Sequence, residues 1–554
     1  MRRPLFVVLA AVAGCAGPAA GTIRFVAQPP IGRVDDRQPL EHKPSERIYY
    51  RALYQLDGFF VRRLTRAMDL PSTGRALDVN SVDDVPDSTW FTNRIGVRDV
   101  PIDELRRGPN VDDSPLAHLP LTIIGAKVGG MSMGFVVEDA LHDKFILKFD
   151  HPERPEMETG AHVIVQRLLW ACGYNVPEDY LGYLRRDELQ LSPTASVKDE
   201  MGNKTRLLKD RVDSSLETVF KTADGRYRVL VSRFIPGVPI GPYAREGTRP
   251  DDPNDRIAHE RRRTIRGEVA LFSWVNHTDI QEDNTLDSFV PEPGSKVRGH
   301  VVHYLIDFGK ALGVMNTANQ WKTAGYTYRW DAAIGLKTLL TLGLWDRPWD
   351  HVDAPALLGL GMFEAEQFDP ALWTPNSPYW PFDDADKFDG FWGAKIAMRF
   401  TRAQLAAAVD EAKFSDPRTA SYVVDTLVAR QRKVGSYWFS RVSPLDHFTV
   451  EPDGADAVKL CFDDLAVVYG FEPSTATYEL ALYDRTGAAR TDRPLVGSSG
   501  GHACIDRLPL AAGADRYTIV RLAARRGAHP LPAVRVHLAK TATGAIAVIG
   551  LRRD

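Results

Sequence analysis

The pattern of apolar residues changes near residue 445, and this change most constrains what the chain can fold into. From 445 to 554, segments of strand character recur about every 8–12 residues. Clusters of Gly, Pro and Asp separate these segments. The segments lie at 458–462, 466–469, 478–483, 517–522, 533–538 and 546–549. This spacing predicts a separate all-β sandwich over 445–554.

Before residue 445 the pattern mixes helices and short strands. Helical spacing occurs at 46–69, 156–171, 258–276 and 391–440, and strand character at 121–127, 135–138, 144–149 and 229–235. Residues 78–120 are rich in Asp, Pro and Asn, which favours extended segments wrapped around a core, with Trp90 and Phe91 as anchors. We therefore predict an α+β fold in which 44–120 forms an N-terminal helix and a wrap.

The composition excludes several classes of protein. Of 554 residues, 44% are hydrophobic and 25% are charged, which excludes wholesale disorder and a disulfide-dense mini-scaffold. The formal net charge is −3, without the basic excess of a nucleic-acid binder, so we expect no nucleic-acid partner.

The amino terminus has the features of an export signal. Arg2 and Arg3 precede a short apolar run at 5–14, which ends in small residues before Cys15. The run is about half the length that spans a bilayer. The residues before Cys15 resemble a bacterial lipobox, which implies lipidation at Cys15, and Ala16 in place of Asp implies an outer-membrane address.

We therefore predict a lipoprotein signal peptide at 1–15 and a tether at 16–43. The predicted location is the cell envelope, lipid-anchored at the outer membrane and facing the periplasm or the cell surface. The acyl group would be the only membrane tether, since no later stretch reaches about 18 apolar residues. A plain signal peptide with an incidental cysteine is the alternative.

Three cysteines remain beyond the signal. Cys172 lies in a helical apolar pattern and is interpreted as a small buried hydrophobe. Cys461 and Cys504 lie in the strand-rich region of an exported chain, where thiols can oxidise, so they are candidate disulfide partners.

The strongest chemical signal is a motif of the form His-x-Asp-x4-Asn at His277, Asp279 and Asn284, followed by Asp307-Phe-Gly. It resembles the catalytic loop and metal-binding motif of the protein-kinase-like superfamily. The resemblance implies that Asp279 faces an acceptor hydroxyl and that His277 braces the loop. Asn284 and Asp307 would hold Mg²⁺ on the nucleotide phosphates. A solvated acidic loop beside an ordinary buried strand is the alternative reading.

Upstream residues fit the same resemblance. Lys148 ends a Phe-Ile-Leu-Lys strand and would bind the nucleotide phosphates, with Ile146 on the same face. The helix that begins near Glu158 and closes with Gly and a Val-Pro pair resembles that of HipA-type kinases. Glu158, chosen over Glu153 and Glu156, would orient Lys148; a carboxylate that merely suits a helix start is the alternative.

The remaining candidates are weaker. Gly129, Gly130 and Gly134 depart from the usual glycine pattern, but their backbone could donate N–H groups to phosphates. Lys127 or Ser132 could add contacts there, and a plain hairpin turn is equally compatible. Ser232 and Phe234 are placed by order alone where the interlobe hinge would meet the adenine.

The resemblance covers about residues 120–440 and implies a two-lobed protein-kinase-like fold before the β-sandwich. The N-lobe and hinge would span 121–237 and the C-lobe 238–444. The loop-to-motif interval is 307 − 279 = 28 residues, longer than in ordinary protein kinases, and no Ala-Pro-Glu follows. The motif pattern of this sequence resembles HipA-type and lipid-kinase-like members more than ordinary protein kinases.

Two functions follow as hypotheses. The first is an exported, membrane-anchored phosphotransferase that uses Mg²⁺ with ATP or another nucleotide. It would act on a hydroxyl acceptor in a protein, a glycan or a small molecule. The second is a catalytically silent kinase-fold protein that binds or scaffolds in the envelope. The full set of motif residues favours the first hypothesis, whereas the scarcity of ATP outside the inner membrane favours the second.

Overall fold

The computed structural model describes residues 36–68, 74–127, 133–198, 203–315, 322–526 and 529–554. Cys15, Gly129 and Gly130 lie outside the described residues. The fold is mixed α+β with several sheets. The described chain divides between Pro444 and Leu445 into two compact units.

The first unit begins with a segment that packs on its own body. The Asp36 carboxylate accepts hydrogen bonds from the backbone and hydroxyl of Thr89. Leu40 is buried and exchanges backbone hydrogen bonds with Gly299. The predicted tether at 16–43 is therefore too long, because these contacts fix its last part to the protein.

A helix with a π-helical centre follows. It consists of α1 (Arg51–Leu56), a π turn (Asp57–Val61) and α2 (Arg62–Met68), with a short α3 (Ile102–Arg107) further on. Tyr54 and Phe59 are buried on its inner side. The wrap between α2 and α3 is held by Trp90, which stacks on His303 at 3.5 Å, and by the fully buried Phe91.

The first sheet has seven strands and two helices packed against them. The elements are β1 (Leu121–Ala126), β2 (Gly134–Glu138), β3 (Lys144–Phe149), α4 (Met157–Cys172), β4 (Asp179–Leu184), β5 (Leu189–Lys198), β6 (Lys204–Arg206), α5 (Lys209–Glu217) and β7 (Tyr227–Arg233). The strand order is β4-β7-β3-β2-β1-β5-β6. Alternating residues such as Phe145 and Leu147 form its core.

The rest of the first unit is mainly helical, with one small sheet. Its elements are β8 (Val238–Pro239), α6 (Arg263–Arg266), α7 (Glu268–Trp274), β9 (Thr285–Pro291), β10 (Gly299–Leu305), α8 (Ala332–Leu340), α9 (Trp380–Asp383), α10 (Lys387–Met398), α11 (Arg402–Asp410) and α12 (Pro417–Phe439). The antiparallel pair β9–β10 joins residue 285 to residue 305, so the two halves of the chemical motif become neighbours.

Two predicted helices differ in the structure. The one at 258–276 is broken at Gly267, where a side chain would collide with Trp392. The one at 391–440 is three helices, because Thr401 and Asp416 each cap a new start and Pro417 suits the first helical position.

The second unit is built on a nine-stranded antiparallel sheet. Its elements are β11 (Leu445–Pro452), β12 (Ala457–Asp464), α13 (Leu465–Val468), β13 (Thr475–Asp484), β14 (Ala489–Ser499), β15 (His502–Pro509), β16 (Thr518–Arg526), β17 (His529–Pro530), β18 (Val534–Lys540) and β19 (Ile546–Arg553). The strand predicted at 466–469 is wrong: Asp464 caps a helical turn there instead. Cys461 and Cys504 face each other on β12 and β15 and form a disulfide.

Across both units, the described helices include none with the length and apolar character needed to cross a membrane.

Candidate nucleotide and phosphotransfer site

A cavity of about 360 Å³ lies between the first sheet and the segment from 279 to 310. Sheet residues line one wall and loop residues the other. The lining includes Lys127, Ile146, Lys148, Ser232, Phe234, Asp279, Gln281, Asp283, Asn284, Asp307 and Lys310. Residues from distant parts of the chain, several of them predicted site residues, are thus brought to one space.

The central contact is an ion pair across the cavity. The Lys148 ammonium donates to Oδ1 of Asp307 at 2.7 Å, although 159 positions separate the residues. Burial acts to lower the pKa of Lys148, but Asp307 and Glu158 outweigh it and the pKa is raised. Burial acts to raise the pKa of Asp307, but Lys148 and Lys127 hold it far below its usual range. Asp307 is therefore a carboxylate at neutral pH, facing two ammonium groups.

Asp307 adopts a backbone conformation that a non-glycine residue rarely takes. Its φ is 62° and its ψ is 66°, in the left-handed region. Phe308 then turns into the core, with its ring centroid 5.4 Å from that of His162 and 6.0 Å from that of His277. The turn thus buries the phenylalanine and leaves the Asp307 carboxylate at the cavity.

The loop opposite is held by bonds among its own residues. Asp279 accepts from Lys310 at 2.9 Å through Oδ2 and from Gln281 at 2.8 Å through Oδ1. The side-chain nitrogen of Asn284 donates to the backbone oxygen of Asp279 at 2.6 Å. The backbone oxygen of Asn284 accepts from the N–H of Ile306 at 3.0 Å, which places Asn284 beside Asp307.

His277 lies beneath this loop. It is buried, and its ring contacts Phe272 and Phe308 with centroid distances of 5.0 and 6.0 Å. Burial lowers its pKa to about 4, so the ring is neutral at pH 7. This placement suits the predicted role of a brace.

Glu158 is in the first turn of α4 and packs close to Gly309, where a Cβ would lie 2.6 Å from its Cγ. Its charge helps to raise the pKa of Lys148, whose ammonium also donates to Asp307. That Glu158 orients Lys148 stays a prediction.

The remaining predicted nucleotide contacts lie on the sheet side. Ile146 and Ser232 are paired neighbours on β3 and β7, and both line the cavity with Phe234. Gly134 lies opposite Lys148, where a Cβ would be 2.6 Å from the Leu147 carbonyl oxygen, so the close approach requires glycine. Cys172 lies elsewhere, buried in α4, and burial raises the pKa of its thiol.

Sequence reasoning missed four residues of the loop side. Lys310 directly follows Asp-Phe-Gly, and its proximity to that motif was the available signal. Gln281 and Asp283 lie inside the motif as unspecified positions. Gln55 comes from α1 and donates to Gln281 at 2.9 Å, a contact that no local pattern indicates.

The segment from 47 to 55, which includes the start of α1, contacts the loop at several points. Arg47 pairs with Glu282 at 2.6 Å, and Arg51 lies 3.9 Å from Asp283. Gln55, Gln281 and Asp279 form a continuous chain of hydrogen bonds. The helix thus holds the face of the loop on which Asp279 lies.

The donor set fits a magnesium ion. Because the amide nitrogen of Asn284 donates to the Asp279 backbone, its amide oxygen is left to act as a ligand. Asp283 lines the same cavity, and its Oδ1 is buried without a hydrogen-bond partner. Together with Asp307, these are the oxygen ligands that Mg²⁺ prefers.

No family model, curated protein or solved structure that was compared matches this chain.

Proposed function

We propose that the chain is a protein-kinase-like phosphotransferase that moves a phosphoryl group from a magnesium nucleotide to a hydroxyl acceptor. The observation that carries the proposal is the cavity in which the Lys148–Asp307 pair faces the Lys310–Asp279 pair, with Asn284 between them. Phosphoryl transfer depends mainly on positioning and charge stabilisation, and these residues are arranged for both.

The order of the elements supports a two-lobed kinase-like fold for residues 121–444. The strand with Lys148 precedes the helix with Glu158, and β7 contains Ser232 and leads directly to Phe234. A helix then enters the loop, and the β9–β10 pair leads to Asp307. This is the order that the resemblance implies. The nine-stranded sheet of the second unit is compatible with the proposed β-sandwich.

The residues have distinct roles in this proposal. Lys148 and Lys127 would bind phosphate oxygens through their ammonium groups, and Ile146 and Phe234, which line the same cavity, would offer apolar surface for a base. Asp279 would orient the acceptor hydroxyl and accept its proton, while Lys310 and Gln281 hold its carboxylate. Asn284, Asp307 and Asp283 would ligate Mg²⁺, which when bound neutralises charge on the phosphates.

Binding of the nucleotide is tested by thermal shift with Mg-ATP. A ligand that binds only the folded state stabilises that state more as the ligand concentration increases. The Tm of the wild-type protein should therefore rise with the concentration of Mg-ATP. Asp307→Ala should abolish that shift. The exposed Asp187→Ala is the matched control and should respond like wild type. An equal shift in Asp307→Ala would refute the assignment of this cavity.

Transfer is tested separately with Asp279→Asn. This variant should keep the Mg-ATP shift, because Asp279 faces the acceptor side. It should lose release or transfer of the terminal phosphate by about 10²–10⁴-fold, the range typical of a lost general base. Unchanged turnover would mean that Asp279 has no part in transfer.

A silent envelope scaffold is the second candidate, and the N-terminal helix favours it. Arg47 and Gln55 already bond the loop on the side where an acceptor would approach. A scaffold with this fold would show no Mg-ATP shift in wild type and no phosphate release.

The membrane address is part of the same proposal. We infer lipidation at Cys15 from the sequence, with the rest of the protein exported. Mass spectrometry of the membrane fraction should find a mature chain that begins at an acylated Cys15. An unmodified mature terminus beyond that residue would contradict it.

A further inference from the structure

Two helices of the first unit leave apolar side chains uncovered. In α8, every side chain is at least partly exposed, and Leu336, Leu339 and Leu340 are 57, 70 and 75% exposed. Leu342 and Leu344 continue this surface after the helix. Exposed apolar residues in such a contiguous set mark an interaction site rather than ordinary surface.

The second apolar surface belongs to α1 and α2. Their inner side is fixed to the body through Tyr54 and Phe59, while five apolar residues point outward and are more than half exposed: Leu53, Leu56, Phe60, Leu64 and Met68. Their spacing of three or four residues puts them on one side of the helix. The Arg63 guanidinium lies 4.5 Å from the ring centroid of Tyr328, just before α8, so the two surfaces are neighbours.

The geometry points to a phospholipid bilayer as the partner of this combined face, which we call the apolar face (residues 50–68 and 330–345). With nine residues, α8 is about 14 Å long, less than half the hydrocarbon thickness, so it can lie in the interface but not span it. Trp330 is exposed at one end and Trp345 lies near the other, positions that suit the headgroup level.

Charge also favours a bilayer. The only ionisable residue in α8 is the basic Lys337, so the helix itself carries no carboxylate that anionic headgroups would repel. The arginines of the helix from 51 to 68 are engaged with the protein body, since Arg62 pairs with Glu246 and Arg66 with Asp384. The described chain begins 36 − 15 = 21 positions after Cys15, which allows a reach of at most about 75 Å, so an anchor at Cys15 would keep the protein within reach of a membrane.

The inference does not depend on phosphotransfer and is tested with a chain that starts at Ala16. This chain lacks the apolar signal run and the acyl group but keeps every described residue. The probe is flotation with vesicles of phosphatidylethanolamine and phosphatidylglycerol. We expect the chain to float with the vesicles. The triple variant Leu336→Gln/Leu340→Gln/Leu344→Gln should bind the vesicles with an affinity at least about tenfold lower. These positions are exposed, so the variant should fold.

The control replaces three exposed apolar residues outside the face, Val97, Val111 and Leu141, with Gln. It should float like the parent chain. Failure of the parent to float, or equal loss in the control, would overturn the inference. Light scattering tests the alternative that the apolar face binds a second copy of the chain. That alternative holds if the parent chain is a dimer, the α8 variant is a monomer and neither protein floats with vesicles.

Discussion

The cavity of the first unit and the sheet of the second both bury carboxylates against cations, but they use them differently. In the second unit, the two oxygens of the Asp464 carboxylate each accept a bond at 2.7 Å from one guanidinium nitrogen of Arg526. The carboxylate also accepts a bond from the Tyr478 hydroxyl and one from the backbone N–H of Ala466. Asp307 in the first unit has its bond to Lys148, and its side chain stays 36% exposed. One carboxylate is saturated by the protein, whereas the other keeps capacity for a ligand.

This difference separates structural from functional charge. Removing one partner of a saturated buried pair lowers the stability of the fold strongly, because the other charge stays buried and uncompensated. A charge that faces a cavity contributes less to folding and is available for chemistry. The following predictions test that distinction.

The largest expected effect is that of Asp464→Ala in the second unit. It should lower the free energy of unfolding of that unit by about 3–5 kcal/mol, because Arg526 would be left with the more distant Glu472 at 3.6 Å and the donors of Tyr478 and Ala466 would lose their acceptor. Asp463→Ala is the control, since the Asp463 side chain is 30% exposed and its ion pairs among the described residues are with His447 and His502. Hydrogen exchange with mass spectrometry over 445–554 measures the change.

The two units can be followed independently. All 11 tryptophans lie before residue 445, so tryptophan fluorescence reports the first unit alone. Its unfolding transition should be the same in Asp464→Ala as in wild type. A large fluorescence shift would show that the units do not unfold separately.

Acid should destabilise both units, by up to about 3 kcal/mol each, because each keeps a histidine neutral. Burial lowers the pKa of His277 and of His537 to about 4. The unfolded chain takes up a proton near pH 6.5, so this stability is present above that pH and is lost as the pH falls toward 4. His537→Gln should flatten the dependence of stability on pH in the unit 445–554 and leave that of the first unit unchanged. His447→Gln is the control, because its ring is exposed, and it should leave both profiles unchanged.

The sequence predicted the chemical side of the cavity better than its supports. Asp279, Asn284 and Asp307 belong to a compact motif, and Lys148 ends a recognisable strand. Their convergence depends on the antiparallel β9–β10 pair, which brings residue 285 next to residue 305.

The supports depend on tertiary contacts that local spacing does not encode. Gln55 reaches Gln281 across 226 positions. The ring of Trp392, 125 positions away, leaves no room for a side chain at Gly267, and the helical turn after Asp464 begins at a cap that interrupts an apolar run. Periodicity gives the type of an element, whereas caps and distant contacts set its ends.

A smaller effect should follow from Gln281→Ala. This variant tests whether hydrogen bonds inside the cavity position the Asp279 carboxylate rather than stabilise the fold. Without its donor at 2.8 Å, the Asp279 carboxylate is less fixed, and we expect turnover to fall about tenfold, or about 1.4 kcal/mol. The KM for the nucleotide should stay the same, because in the proposed mechanism Gln281 acts through Asp279 on the acceptor hydroxyl.

Gln190→Ala, at an exposed strand position, is the control for Gln281→Ala. Gln55→Ala should have a weaker effect of the same kind, because it acts through Gln281. A change in KM with constant turnover would instead place Gln281 at the nucleotide.

The smallest expected effect has the opposite sign. Asp283 lines the cavity with Oδ1 buried and unpartnered, burial raises its pKa, and Arg51 at 3.9 Å gives little compensation. Asp283→Asn should therefore stabilise the first unit by about 0.5–1 kcal/mol at pH 7 in urea unfolding followed by tryptophan fluorescence. The gain should vanish well below pH 4, where the aspartate is protonated in both states. The same variant should weaken the Mg-ATP shift. If Asp283→Asn were destabilising at pH 7, the residue would be structural like Asp464, and the contrast between the two regions would not extend to it.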